Sequence, residues 1–431
     1  MDHPELLDDG PPVGRDLALA TWGLFVGLAL LLFVAGLVGT LLGVRTELER
    51  LPTLVIGVIS ASYYVGFLVG SRVALAALLR VGHIRAFSAL ASLLSAAVIG
   101  IGMTDSPWAW GALRMVTGLC LAGQYVVAES WLNDLADNDN RGRILAIYNV
   151  VTIAAFGAGQ VSQYLFDARL ITGFALASVL TSLAVAPVAL SERAVAPVVG
   201  DSEPISLRAL SKVVPTGVGS CLLVGVAHGA LGGMAAIYAT RAGLPLSRVG
   251  LFAAAPSLGA VVLQWPISAA SDDIDRRAVG ALAAVAAAIC SALLLVGPAT
   301  SLMALFLIAL VGGFSYPLYS IAGAYTNDWV DPEHLNAAAS QLVKLYGIGA
   351  VVGPLLTAVL MGSIGVSGFY WALIVLHAVI GAFFVYRMRV WRSPLRKRPW
   401  SEVSLPARAF FIPATIVASS RRRRSNRREE T

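Results

Sequence analysis

The sequence predicts an all-α membrane protein whose twelve transmembrane helices form two pseudo-symmetric six-helix bundles. Three observations predict it. First, 57% of its 431 residues are apolar, 13% are charged and the mean hydropathy is +0.77, more apolar surface than one soluble core can bury. Second, apolar stretches of about 20 residues or more, the length that crosses a bilayer, recur twelve times. Third, the chain resembles itself at a constant offset of 194 residues.

In the first half the apolar stretches fall at roughly 20–44, 53–79, 84–103, 107–132, 143–166 and 171–190; in the second they fall at 213–239, 248–270, 278–297, 300–326, 336–361 and 365–389. Between the halves runs the polar connection Ser191 to Lys212, with Pro197, Pro204 and six charged residues, which reads as a linker. The expected domains are therefore a cytoplasmic N-terminus (1–19), a first bundle (20–190), a cytoplasmic linker (191–212), a second bundle (213–390) and a basic cytoplasmic tail (391–431).

The repeat aligns Gly118 with Gly312, Tyr125 with Tyr319, Asn133-Asp134 with Asn327-Asp328, Asp137 with Asp331 and Gly159 with Gly353. Repeated halves place a shared site between them near the midplane, the plan of secondary transporters.

Basic residues set the orientation. With both termini cytoplasmic, the inner segments carry Arg15, Arg80, Arg85, Arg141, Arg143, Arg193, Arg208, Lys212, Arg276 and Arg277, against Arg45, Arg50, Arg169, Arg241 and Arg248 outside. This bias, before the basic tail is counted, follows the positive-inside rule for an even number of spans, so a multi-pass protein of the cell (inner or plasma) membrane is expected. The N-terminus carries Asp2, Glu5, Asp8, Asp9 and Asp16 against Arg15, the reverse of a cleaved leader's basic start. The tail, with Arg396 to Arg398 and Arg421 to Arg424, reads equally as an anchor for anionic lipid and as a solvated topology signal. Nucleic acid is not an expected partner, because no folded domain supports the basic run. Cys120, Cys221 and Cys290 stand singly in apolar runs and read as small core residues; no cofactor and no metal site is expected.

Ionisable groups within the spans are the functional candidates, because lipid makes them costly. On the fourth span Arg114, Gly118, Tyr125 and Glu129 fall within an arc of about 60° and so share one face. Arg114 and Glu129 lie about 22 Å apart along the axis and serve different depths, Arg114 toward the outer half of a cavity and Glu129 toward the inner. Each reads either as a substrate or proton site or as a charge neutralised by a fixed partner. Arg72 is the proposed partner of Glu129; an unpaired Glu129 would suit proton exchange. His228 lies in the glycine-rich stretch Val226 to Gly233, where a helix can bend or a ligand approach closely, although a satisfied core histidine is the commoner case. Lys344 shares a face with Gln341, and His377 reads as structural. Gln124, Tyr148, Asn149, Gln160, Gln163, Tyr316 and Tyr319 can orient a polar solute or bind helix to helix.

Short motifs now coincide. Pro266-Ile-Ser-Ala-Ala-Ser-Asp272-Asp-Ile-Asp-Arg276-Arg277, Arg80-Val-Gly82-His83-Ile-Arg85, Arg114-x-x-x-Gly118 and Gly349-x-x-x-Gly353-Pro354 resemble motifs of the major facilitator superfamily, although Leu75 and Leu79 replace that family's Gly and Asp in the first-half loop. Val127-Ala-Glu129-Ser130, Asn140-Arg141-Gly142-Arg143, Gln264-Trp265-Pro266 and Tyr316-Pro-Leu-Tyr319 resemble its YcaD-like branch. Together the likeness covers residues 20–390. It implies a proton-coupling arginine at Arg114 and a bending motif at Gly349 to Pro354. In this architecture Asp272 would latch an inner gate against helix ends near Arg141 and Arg143, with Arg80 and Arg85 facing Asp328, Asp331 and Glu333. Plain topology charges without a latch are the alternative.

The expected function is secondary active transport of a small solute by alternating access, coupled to protons, in a protein working as a monomer. A facilitative uniporter and a non-transporting scaffold or lipid-interacting protein are the alternatives. There is no phosphate-binding G-x-x-x-x-G-K-[ST] motif, and the short loops lack the nucleophiles or paired carboxylates of an enzyme.

Overall fold

A computed structural model describes residues 15–135, 141–190, 205–331 and 334–390; at 15–20, 133–135, 141–143, 145, 146 and 336 it describes the backbone alone. The acidic N-terminus, Glu333, the basic tail and most of the linker lie outside the described residues, as do the side chains of Arg141 and Arg143.

The described chain is helical: α1 (Arg15–Leu48), α2 (Thr53–Val81), α3 (His83–Met103), α4 (Pro107–Leu135), α5 (Arg141–Ser162), α6 (Thr172–Leu183), α7 (Val185–Ala189), α8 (Leu207–Val213), α9 (Pro215–Arg241), α10 (Leu246–Asp273), α11 (Arg276–Leu293), α12 (Leu302–Ser315), α13 (Pro317–Asn327), α14 (Leu335–Ile364) and α15 (Gly368–Val390). Helix is the form that satisfies each backbone amide within its own segment, as lipid demands. Among the described residues, eleven segments are long and apolar enough to cross a membrane, with α6–α7 and α12–α13 each counted as one; α5 occupies the fifth position. Two spans expected to be continuous are broken: the sixth at Ala184 and the tenth at Tyr316, where Pro317 starts a new helix because it has no N–H to give the preceding turn. The last part of the expected linker forms the short helix α8, capped by the Ser206 hydroxyl accepting from the Ala209 amide at 3.1 Å. Between α2 and α3 the chain reverses on Gly82 alone, at φ +80°, a conformation that costs glycine little. Leu282, Val285 and Ile289 on α11 stand exposed, as a lipid-facing stripe does.

The repeat is visible in the packing. In the first half α2 packs on α4, α1 on α5 and α3 on α6; in the second α10 packs on α12, α9 on α14 and α11 on α15. These are the same pairs displaced by one half. Between halves α2 meets α14 and α5 meets α10, each contact the symmetry mate of the other. Gly118 lies on the Tyr63 backbone, while its repeat partner Gly312 lies on Pro256; a side chain at either would push the crossing helices apart. The glycines flanking His228 act similarly. Gly225 and Gly229 of α9 face Tyr346 and Ala350 of α14, whose Gly349 and Gly353 face α9 in return, small residues letting two backbones meet in lipid.

The start of α1, the end of α7, the start of α9 and the end of α15 lie at one end of the bundle, here called the linker end. At the opposite, far end, α1 and α9 cross. There Gly43 neighbours Ile237, and Glu47 neighbours Arg241. Arg241 Nε donates to Glu47 Oε2 at 2.9 Å, Nη2 lies 2.9 Å from Oε1, and Nη1 donates to Thr53 Oγ1 at 2.7 Å. Gln163 Nε2 also reaches the Leu246 carbonyl, Gly250 rests on the Gln160 backbone and Gly57 rests on Ala358. The two halves are thus closed together at the far end.

Candidate functional site

Behind this closure a cavity of about 80 Å³ lies between the halves. Its first-half wall comes from α1 (Gly39, Thr40), α2 (Ser60, Tyr63, Tyr64), α4 (Arg114) and α5 (Phe156, Gln160); its second-half wall comes from α9 (Leu231 to Gly233), α10 (Pro256, Ser257) and Tyr316. Arg114 sits 4.5 Å from the centre of the Tyr63 ring, a cation–π contact that places one guanidinium face on the aromatic ring. Tyr64 packs edge-on against Tyr63 at 5.3 Å. Among the described residues no carboxylate forms an ion pair with Arg114. Ser257 and Tyr316 complete the second wall, and Gln160 Oε1 is buried with no hydrogen-bond partner.

The candidates from the sequence therefore divide. Arg114, Gln160 and Tyr316 line the cavity. Tyr125 and Glu129 continue down α4 toward the linker end: Tyr125 packs on Phe67 at 6.2 Å, and half-buried Glu129 accepts from the Tyr148 hydroxyl at 3.5 Å. The shared face of α4 meets α2 along its length, and Gly118 makes that contact close.

The proposed Arg72–Glu129 pair does not form. Gly70 of α2 packs on the Leu119 backbone of α4, and Arg72, two residues on and about 200° around the helix, points away from α4 and is exposed.

In the second half, His228 and His377 belong to one hydrogen-bonded chain. The Ser315 carbonyl lies 3.0 Å from His228 Nε2, so that nitrogen donates and Nδ1, 3.1 Å from the Tyr346 hydroxyl, accepts. His377 has the other tautomer, Nδ1 donating to the Leu373 carbonyl at 2.7 Å and Nε2 accepting from Ser315 Oγ at 2.8 Å. Ser315 sits at the α12–α13 break and joins both rings. Tyr319 packs on Tyr346 at 5.0 Å, and Tyr316 packs on His228 at 4.7 Å, so this chain stands directly behind the cavity wall. Lys344 is half-buried and donates to Gln341 Oε1 at 3.3 Å, while Gln341 Nε2 donates to the Ile205 carbonyl of the connection at 2.8 Å.

At the linker end Arg276 is fully buried. Its Nε donates to Asp328 Oδ2 at 2.8 Å and its Nη1 donates to Asp272 Oδ1 and Ser271 Oγ, each at 3.0 Å. The Asp272–Arg276 motif thus ties α10, α11 and α13 together within one half. Asp328 pairs with Arg276 rather than with Arg80 or Arg85, which are exposed on the other half; Asp331 is exposed. The expected contact of Asp272 with Arg141 and Arg143 involves side chains outside the described residues.

Sequence reading missed Tyr63, Tyr64, Glu47 and the role of Arg241. The tyrosines looked like core aromatics of an apolar span. Glu47 and Arg241 carried a legible signal: opposite charges at matching positions of the repeat.

The family profile described as Major Facilitator Superfamily matches residues 217–425, and the profile described as Sugar (and other) transporter matches residues 20–190. The chain belongs to the major facilitator superfamily. It is 28% identical over 340 residues to the MFS-type transporter YcaD of Escherichia fergusonii, covering 78% of this chain and 88% of the relative. A bacterial homologue of the human lysosomal transporter Spinster, in an inward-facing and occupied conformation, shares the fold at a TM-score of 0.70 and 15% identity, over 89% of this chain and 98% of that one. The nucleoside transporter NupG does so at 0.74 and 11%, over 86% and 100%. This superfamily member is a multi-pass membrane transporter and not an enzyme.

Proposed function

We propose that this transporter is secondary active, moves a small solute by alternating access and couples that movement to protons, with both termini cytoplasmic and one chain forming the working unit. The carrying observation is the cavity between the halves, sealed at the far end by Glu47 and Arg241. Rocking of the two halves about the cavity would break that seal and bring the linker ends of α2 and α14, and of α5 and α10, together, turning the same cavity to the other side. The basic inner segments orient the linker end to the cytoplasm. Glu129, held beside Tyr148 between the cavity and the linker end, is the candidate proton carrier, and Arg114 matches the superfamily arginine associated with coupling.

The test is labelling of Ser60→Cys, in the cavity wall, by a membrane-impermeant maleimide in right-side-out and inside-out vesicles, together with uptake into proteoliposomes under an imposed pH gradient. Transport by alternating access requires labelling from both sides and pH-driven uptake. Downhill uptake indifferent to pH would make the protein a uniporter. Labelling from one side alone, without uptake of any solute, would make it a scaffold.

A further inference from the structure

We propose that the cavity binds a small hydroxylated carboxylate monoanion, its carboxylate on Arg114 and its hydroxyl on Gln160; this rests on the transport reading and names its substrate class. Of the described residues lining the cavity, Arg114 alone carries a charge. An uncompensated cation at this depth is costly, and a cavity with one positive charge in a low-dielectric wall concentrates anions. The Tyr63 ring covers one face of the guanidinium, and no described side chain accepts from its N–H groups. The free edge therefore presents a planar fork that matches a carboxylate. One charge fits a monoanion.

The second feature is Gln160. It is only 8% exposed, and its Oε1 meets no donor from the protein. That oxygen is closed off from the cavity as it stands; turning the side-chain amide over, a rotation about one bond, presents it to a ligand hydroxyl, which supplies the hydrogen that a buried amide oxygen needs. An ammonium would supply one too, but the lining offers no carboxylate to neutralise it, so amino acids are disfavoured. The cavity, about 80 Å³, has room for several waters and so admits a small solute. The charge is also one-sided. The repeat partner of Arg114 is Ile308, fully buried in the second half, so the carboxylate belongs to the first half and the ligand has one polarity in the cavity.

The test uses the purified full-length chain with lactate and glycolate as probes, against propionate (no hydroxyl), lactamide (no charge) and alanine (zwitterion). Thermal stabilisation and binding should rank lactate and glycolate above propionate, with lactamide and alanine inert. Arg114→Gln should weaken lactate by about tenfold or more, the scale of one charged hydrogen-bonded contact, with Arg114→Lys intermediate. Gln160→Leu should erase the preference for lactate over propionate. Because Arg114→Gln also removes the contact with the Tyr63 ring, a second measurement uses the unaltered protein: lactate, and not lactamide, should slow modification of Arg114 by phenylglyoxal, read by peptide mass. Equal binding of lactamide, or no protection of Arg114, overturns the inference. Counterflow separates the two readings. Uptake of uncharged probes unaffected at Arg114→Gln leaves transport standing and removes the anion site. Protection by lactate without counterflow of any probe keeps the anion site and removes transport.

Discussion

Glu47 and Arg241 are 194 residues apart in sequence and 2.9 Å apart in space, and 194 is the offset of the internal repeat. Equivalent residues of two repeated units meet only where the axis relating them passes, so this ion pair marks the pseudo-twofold axis at the far end of the transporter. Gly43 and Ile237, one helical turn earlier and also 194 apart, meet in the same way. Nature has placed opposite charges on the two copies where identical charges would repel. The repeat thereby becomes a latch.

That latch predicts a population shift. Glu47→Gln should open the far end several-fold more often, since a partly exposed ion pair is worth up to about 1 kcal/mol. Faster maleimide labelling of Ser60→Cys from the far side measures it. The double exchange Glu47→Arg with Arg241→Glu should restore the slow rate; labelling unchanged by Glu47→Gln would remove the pair from gating.

Glu129→Gln keeps the Tyr148 contact and removes the ionisable proton. Loss of pH-driven uptake with ligand binding retained is the expected outcome, read by uptake and thermal shift side by side. Normal pH-driven uptake would take Glu129 out of the mechanism.

Gly118→Leu should abolish assembly, because the α2 backbone occupies the space of its side chain. Size-exclusion profiles after detergent extraction report it. A monodisperse, ligand-responsive Gly118→Leu protein would contradict the close α2–α4 crossing.

Arg276 and Asp328 are 1% and 0% exposed at their side chains. Removing one partner leaves a buried charge and should cost about 3–5 kcal/mol, seen as a large fall in thermal midpoint for Arg276→Met. The pair Arg276→Met with Asp328→Leu should recover most of it. A loss in the double variant equal to the sum of the two single losses would show that the two side chains are not energetically coupled.

Hydrophobic length and internal repetition made the fold legible. Spans at least 20 residues long in lipid have no other way to satisfy their amides, so the segmentation followed from composition, and the match of Gly118 with Gly312 anticipated two crossings that proved to be mates. Helical phase also worked where one helix was involved: Lys344 and Gln341 share a face and touch. It failed between helices. Arg72 and Glu129 stand at compatible depths, but depth says nothing about rotation, and the close packing of Gly70 on α4 turns Arg72 outward.

By itself the sequence determined a membrane-spanning all-α chain, its division into halves and the face shared by Arg114 and Glu129, because each depends on transfer to lipid or on the period of one helix. Tertiary structure alone decided which charges found partners: Arg276 with Asp328 inside one half, Glu47 with Arg241 across the axis, and Arg114, among the described residues, with the Tyr63 ring. Pairing depends on how helices rotate and cross, and close backbone contacts through glycine, not the charges themselves, set those angles.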